Sequence, residues 1–303
     1  MLLPALVIGY GSIGKRHADI LNSMDTIKNV AVLSGQDNLP YETITSLEEI
    51  LKLNPNYIVV ASNTAIHYEQ LVFLEKNLQG KKILIEKPLF DFFDYLQIKK
   101  NQVFVGYNLR FHPLMKLIKE KIAERKIWSI QVFCGSYLPD WRPERDYRQT
   151  SSAKQGTGGG VLLDLSHELD YVQWLIGPIA VEYVVNEKVS DLEIETDDLL
   201  LLSGQTEDGA HLQVCLNYFT RKPLRQVLID GEDISIRADL VENILSIVER
   251  GETYNYSWPE LESNETYRAQ HKAILEDDPS YLCTYGEGLE TMRLIDSIRF
   301  FNS

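Results

Sequence analysis

At 303 residues the chain can hold one large or two ordinary domains, and a composition that is 44% hydrophobic and 24% charged is that of a globular protein. A formal net charge of −14 disfavours nucleic acid and anionic membranes as partners, although a locally basic pocket can still take an anionic small molecule. Cys134, Cys215 and Cys283 are scattered and odd in number, which suggests neither a disulfide framework nor a zinc site and fits a reducing cytoplasm.

No apolar run reaches membrane-spanning length. In the apolar opening Met1–Ile8 the basic residues Lys15 and Arg16 follow the run, the reverse of a secretory signal. The chain order then begins with its most informative element. Ala5–Ile8 has the length of a buried strand, and the glycines after it fall at Gly9, Gly11 and Gly14 in G-x-G-x-x-G spacing, with Ser12 and Ile13 between the last two. Gly9 permits a tight turn, Gly11 lets a pyrophosphate approach the backbone, and Gly14 lets the next helix lie close to the sheet. The helix expected at Lys15–Ser23 turns free N–H groups and its positive dipole end toward the phosphates. A glycine-rich turn that only packs has the same spacing; the placement between strand and helix points to a dinucleotide.

Further apolar runs at Val30–Leu33, Tyr57–Ala61, Lys82–Ile85 and Val103–Gly106 alternate with helical pattern at Ser46–Leu53, Ala65–Asn77 and Asp91–Lys100. This alternation predicts a doubly wound parallel sheet over residues 1–110. The pattern changes over 111–303. A helix at Pro113–Arg125, a strand at Ile127–Cys134, a polar aromatic loop at Tyr137–Gly156 and a helix at Val161–Ile176 come first. Strand-like runs follow at Ala180–Val185, Asp197–Gly204, Ala210–Tyr218, Gln226–Asp230, Asp233–Ala238 and Asn243–Glu249, separated by turn-rich connectors. They predict an α+β domain with an open, mostly antiparallel sheet, and a last helix at about 288–301 that folds back onto the first domain. No flexible linker marks the boundary near 108–112, so the two domains are expected to meet around a cleft.

Several residues have the chemistry of a redox site. A carboxylate about 20 residues past the glycines would bind a ribose 2′-hydroxyl; here Ser34 stands in its place, followed by Gln36 and Asp37. Ser34 and Gln36 can bond a hydroxyl or a phosphate, and Asp37 serves only if the strand runs on, so NADP is slightly favoured over NAD. Glu86-Lys87-Pro88 ends a buried strand, where ligands of such sheets lie. A lysine there can move a proton or stabilise an alkoxide, and Pro88 holds Lys87 extended; an ordinary surface lysine before a turn has the same position. Ser62, Asn63, Thr64 and His67 follow another strand end, with Ser62 or Thr64 as a helix cap.

Gly158-Gly159-Gly160 leads into a helix on which Asp164, His167 and Tyr171 share a face opposite Leu162, Leu165, Leu169, Val172 and Ile176. Asp164 and His167 are three apart, a spacing at which a carboxylate can orient an imidazole; a structural histidine is the plainer alternative. The loop before them carries Tyr137, Trp141, Arg142, Arg145, Tyr147 and Arg148, aromatic faces and guanidiniums suited to a polyol or sugar phosphate, or to an ordinary polar loop.

In this order the stretches Gly9–His17, Ala61–His67, Glu86–Pro88, Gly106–Pro113 and Gly158–Asp170 resemble the Gfo/Idh/MocA family of NAD(P)-dependent oxidoreductases. The resemblance spans residues 5 to about 177, more loosely beyond. It implies a Rossmann domain, an α+β substrate domain whose sheet mediates homodimers or homotetramers, and hydride transfer between nicotinamide and a hydroxyl-bearing carbon of a sugar, cyclitol or sugar nucleotide. It implies cofactor contacts from Gly9, Gly11, Ser12, Ile13, Gly14, Ser34, Ser62, Asn63, Thr64, His67, Glu86 and Lys87. Substrate contacts would come from Arg110, Trp141, Tyr147, Arg148, Asp164 and His167, with Lys87, Asp164 and His167 catalytic and no metal. The family usually places the histidine four residues after the aspartate; here the gap is three, which leaves Asp164 and Asp170 both open as its partner. A dinucleotide-binding regulator of the same fold is the rival reading, against which the retained Lys87, Asp164 and His167 argue.

Overall fold

The computed structural model describes residues 3–301; Met1 and Leu2 of the apolar opening, and the last two residues of the expected second domain, lie outside the described residues. The elements are, in chain order, β1 (Leu3–Ile8), α1 (Ser12–Asn22), β2 (Ile27–Leu33), β3 (Glu42–Ile44), α2 (Ile50–Leu53), β4 (Tyr57–Val60), α3 (His67–Asn77), β5 (Lys82–Ile85) and β6 (Gln102–Val105). There follow α4 (Pro113–Ile122), β7 (Ile127–Gly135), α5 (Val161–Asp164), α6 (His167–Ile176), β8 (Ile179–Glu187), β9 (Leu199–Thr206), β10 (His211–Asn217) and β11 (Leu224–Gly231). The chain continues through β12 (Ile234–Asp239), β13 (Ile244–Glu249), β14 (Glu252–Ser257), α7 (Glu265–Leu275), β15 (Cys283–Thr284) and α8 (Tyr285–Arg299).

These form two compact units. The first runs to Phe111 and is completed by Ser263–Met292; the second is His112–Glu262, completed by residues from Arg293 onward. The expected division at 110/111 therefore needs a correction: α7, β15 and the first half of α8 belong to the first unit. The reason is local pairing. Cys283 and Thr284 add an antiparallel strand to β6, and Arg110 ties Leu282 and Glu287 to the end of the first segment.

The sheet of the first unit runs β3-β2-β1-β4-β5-β6-β15, parallel except for its last pair. Strand order reverses between β1 and β4, the topological switch point of a Rossmann-type sheet, outside whose strand ends ligands bind. Leu6, Val7, Ile8, Ile58, Val59, Val60, Ile83, Leu84 and Ile85 are wholly buried, as strands covered by helices on both faces must be. Register aligns the strand ends: Ile8 lies beside both Leu33 and Val60, Val60 beside Ile85, and Ile85 beside Val105. Gly9, Ser34, Ala61, Glu86 and Gly106 thus leave the sheet along one edge.

Asp91–Lys100 is not the expected helix. Side chains satisfy its N–H groups in an open conformation: Asp91 and Asp94 accept from Phe92 and Tyr95, Tyr285 Oη from Leu96, and Glu75 from Lys99 and Lys100.

The second unit holds an eight-stranded sheet in the order β14-β13-β12-β11-β7-β10-β9-β8. All its pairs are antiparallel except β7 with β10. Residues alternate between a buried and an open face, and on the open face Leu201, Cys215 and Phe133 lie side by side in register. The expected helix Val161–Ile176 is broken: α5 stops at Asp164 and α6 starts at His167, with Leu165 outside helical geometry at φ −99° and ψ 29°.

Candidate active site

At the edge of the parallel sheet the three glycines differ in what surrounds them. Gly9 has φ +92°, and a Cβ there would lie 2.7 Å from the Ala61 carbonyl oxygen; one on Gly14 would lie 2.0 Å from that of Gly9. Around Gly11 a Cβ would meet nothing within 4 Å. Two glycines are therefore required by packing, and the middle one leaves open space at the N-terminus of α1. Such a cradle fits a pyrophosphate, and Ser12 and Ile13 begin the helix beside it.

The end of β2 bears on the ribose. The strand stops at Leu33, so Asp37 lies beyond it, and the condition for its ribose role is not met. Ser34 Oγ accepts from the Gln36 N–H, while the Gln36 amide donates to the Tyr10 carbonyl. Lys15 pairs with Asp19 at 2.6 Å, and the Arg16 guanidinium lies over the Tyr267 ring.

Beyond β4, Asn63 rather than Ser62 or Thr64 caps the next turn, accepting from the Ala65 N–H; the Ser62 hydroxyl donates to Gln70. Thr64 opens that turn. His67 is 1% exposed, and its ring nitrogens face the carbonyls of Ser62 and Leu89. Burial holds its pKa below the ordinary value. It braces two loops at the sheet edge. Arg110, expected at the substrate, is 2% exposed and bonds Glu287 Oε1 at 2.7 Å, so its guanidinium is structural.

Within Ile83–Phe90 every residue is buried except Lys87. The Lys87–Pro88 peptide bond is cis. The Glu86 carboxylate is engaged by the protein: its Oε1 lies 2.9 Å from His17 Nε2, and its Oε2 accepts from the Lys87 backbone N–H at 3.3 Å.

In the second unit the same contrast recurs. Within Val161–Val172 only Asp164 and His167 are not buried, and Tyr171, expected on their face, is in the core. Asp170, the alternative partner of His167, is buried. Asp164 Oδ2 accepts from Tyr218 Oη at 2.6 Å. The Trp141 ring meets Tyr218 edge-on at 5.3 Å, and its Nε1 donates to Ser136. Trp141, Tyr218 and Asp164 are thus brought together.

Behind them Asp197 holds the start of α5, its carboxylate accepting from the Leu162 N–H and its carbonyl from Val161. Burial pushes the Asp197 carboxyl up to about 6. Arg148 is held by Asp146 and Glu193, and Tyr147 Oη accepts from the Glu193 N–H, which ties both expected substrate residues into their own loop. Tyr218 and Asp197 escaped the sequence reading; the signal for Tyr218 was a polar-tipped aromatic at the end of a strand. Among the described residues no group of three or more His, Cys, Asp or Glu could hold a metal ion.

Residues 3–107 match the family described as "Oxidoreductase family, NAD-binding Rossmann fold", and residues 115–237 match the "GFO/IDH/MocA C-terminal domain", together three quarters of the chain. The chain belongs to the Gfo/Idh/MocA family. Among curated Gfo/Idh/MocA relatives, an "Uncharacterized oxidoreductase" of Synechocystis sp. is 26% identical over 172 residues, 54% of this chain and 43% of that protein. The "2,7-anhydro-N-acetylneuraminate hydratase" of Escherichia coli (strain K12) is 23% identical over 290 residues, 90% of this chain and 77% of that protein. The chain spans about half the length of the first curated relatives it matches. Among solved structures, a levoglucosan dehydrogenase in complex with NADH superposes with a TM-score of 0.84 at 17% identity, over 99% of this chain and 96% of that one, which is a likeness of fold. No helix among the described residues is long and apolar enough to cross a membrane.

Proposed function

We propose that this Gfo/Idh/MocA protein is a cytoplasmic NAD(P)-dependent oxidoreductase acting on a hydroxyl-bearing carbon of a sugar, cyclitol or sugar-nucleotide derivative. The observation that carries the reading is the alignment of Gly9, Ser34, Ala61 and Glu86 along the carboxyl edge of a parallel sheet at its switch point, with open space at Gly11 and a half-buried Lys87. Gly9, Gly11, Ser12, Ile13, Gly14, Ser34, Ser62, Asn63 and Thr64 would hold the dinucleotide, which when bound takes or gives a hydride. Ser34 leaves no carboxylate to repel a 2′-phosphate, and the nearby Lys15 and Arg16 are engaged elsewhere. NADP is therefore admitted beside NAD, without an arginine clamp.

Lys87, or alternatively His167, takes the proton of the substrate hydroxyl as the carbon loses hydride, leaving a carbonyl. Asp164, fixed by Tyr218, orients the hydroxyl or the imidazole. Trp141 offers an aromatic face to the rest of the substrate. The relatives support a sugar-like substrate, since one is named for a levoglucosan dehydrogenase and one for an anhydro-sugar hydratase. The open face of the eight-stranded sheet, with its stripe of Leu201, Cys215 and Phe133, supports a homodimer or homotetramer through that sheet.

Parallel fluorescence titrations with NADH and NADPH, then a screen of sugars, cyclitols and nucleotide sugars, test the reading. Binding of either cofactor and net formation of reduced cofactor are expected. Lys87→Met is expected to lower turnover by about 10²-fold with cofactor affinity unchanged. Binding of neither dinucleotide by the folded protein overturns the reading. Substrate conversion without net change in reduced cofactor overturns the dehydrogenase assignment in favour of a redox-neutral reaction.

A further inference from the structure

Four buried side chains of the first unit form a line of hydrogen bonds that ends at Lys87. Tyr57 Oη on β4 lies 2.7 Å from His271 Nδ1 on α7. His271 Nε2 lies 2.8 Å from His17 Nδ1 on α1, and His17 Nε2 lies 2.9 Å from Glu86 Oε1. The other Glu86 oxygen accepts the Lys87 backbone N–H. Tyr57, His17 and His271 are 0% exposed, so none can exchange a partner for water. The Tyr267 ring stands edge-on to His17, Arg268 faces His271, and the Gly106 backbone abuts Glu86, where a Cβ would come within 2.7 Å of Oε1.

Proton counting gives the line a direction. An ionised Glu86 only accepts, so His17 donates from Nε2 and offers Nδ1 as an acceptor. His271 then donates from Nε2 and accepts at Nδ1, which the Tyr57 hydroxyl fills. With both rings neutral, every ring nitrogen and the Tyr57 hydroxyl has a partner of the right kind. Burial favours this neutral state of His271, holding its pKa well below the ordinary value.

We infer that Tyr57, His271 and His17 are positioning residues that, through Glu86, fix the backbone of Lys87, so that α7 of the returning segment sets the place of the lysine. The effect on catalysis rests on the proposed role of Lys87; the relay itself does not.

The test uses the full chain labelled with 15N-histidine and 15N-lysine, observed by NMR near neutral pH with and without NADH. Both His17 and His271 are expected as neutral rings protonated at Nε2. An imidazolium or an Nδ1–H tautomer at either position overturns the ordered relay. His271→Gln, whose amide can accept from Tyr57 and donate to His17, is expected to keep the His17 tautomer and the slow exchange of the Lys87 amide. His271→Leu is expected to speed that exchange by about tenfold and to lower kcat by about tenfold, with NADH affinity and KM within about twofold. Equal exchange in the Gln and Leu variants overturns the inference. If His271→Leu does not fold, Tyr57→Phe deletes only the terminal hydroxyl. Because the order runs from Glu86, His17 and His271 are then both expected to keep their Nε2–H tautomers, and an Nδ1–H tautomer at either ring overturns the relay. Faster Lys87 exchange with unchanged kcat supports the relay and overturns the catalytic role of Lys87 instead.

Discussion

The hydroxyl of Tyr218 donates to Asp164 Oδ2 across 2.6 Å from a ring that is wholly buried, so this carboxylate is held by a residue just past the end of β10, 54 positions away in sequence. A hydrogen bond to a charged group contributes about 1.5–3 kcal/mol. Tyr218→Phe keeps the ring against Trp141 and deletes only the donor. It is expected to lower Tm by about 3–8 °C, with kcat reduced by about tenfold and NADH affinity unchanged. Thermal melts and a steady-state assay decide it; a variant with wild-type kcat removes Asp164 orientation from the mechanism.

The three glycines are expected to separate folding from binding. Gly14→Ala would drive a methyl to 2.0 Å from the Gly9 carbonyl oxygen, and the backbone there must move. A stability loss of about 2–4 kcal/mol is expected in urea unfolding. Gly11→Ala meets nothing within 4 Å and is expected to unfold as the wild type does. Its methyl would stand where the pyrophosphate approaches, so NADH affinity is expected to fall tenfold or more, on the order of 1.4 kcal/mol at least. Wild-type NADH affinity in Gly11→Ala places the dinucleotide elsewhere.

The parallel sheet was legible because doubly buried strands must be continuous apolar runs, and Tyr57–Val60 and Lys82–Ile85 stand where those runs predict. Elements that bury polar side chains were not. Helix α7 turns Thr266, Gln270 and His271 inward beside Ala273 and Ile274, so polar side chains interrupt the apolar period of its buried face, and the relay built on His271 left no trace in hydropathy. Strand β14 is an exposed edge with no buried residue, so it lacks the alternation that marks its neighbours. The break between Asp164 and His167 was hidden for the opposite reason: both helical pieces are buried, and the apolar pattern runs on across the gap. The strand-end positions of Gly9, Gly11 and Lys87 were readable from spacing, whereas the engagement of Arg110, His67 and Arg148 by protein groups depends on partners distant in sequence or unmarked in it.

Arg110 provides a direct test of that distinction. Its guanidinium is buried and reaches Glu287 at 2.7 Å, but Glu287 is 42% exposed, so loss of the arginine leaves a carboxylate that water can solvate. Arg110→Met keeps the stem volume and is expected to cost about 1–3 kcal/mol, below the figure for a fully buried pair. NADH affinity and the KM for any substrate found are expected to stay within about twofold, a change under 0.5 kcal/mol in binding. A large rise in KM with unchanged stability would return Arg110 to the substrate.

Asp197 is expected to make the second unit pH-sensitive in the acid range. Burial raises its folded pKa to about 6 against the ordinary 3.8, so between those values the folded state holds a proton that the unfolded state has lost. Stability from this group is present below the unfolded pKa and falls as pH rises toward the folded one. Asp197→Asn cannot titrate, while its amide oxygen can still accept from the Leu162 N–H. The stability of the variant relative to the wild type is therefore expected to increase by about 2–3 kcal/mol between about pH 4 and about pH 7. Urea unfolding of both proteins across that range measures the difference. A flat difference means that Asp197 ionises alike in the folded and unfolded chain, and that the start of α5 does not depend on a protonated carboxyl.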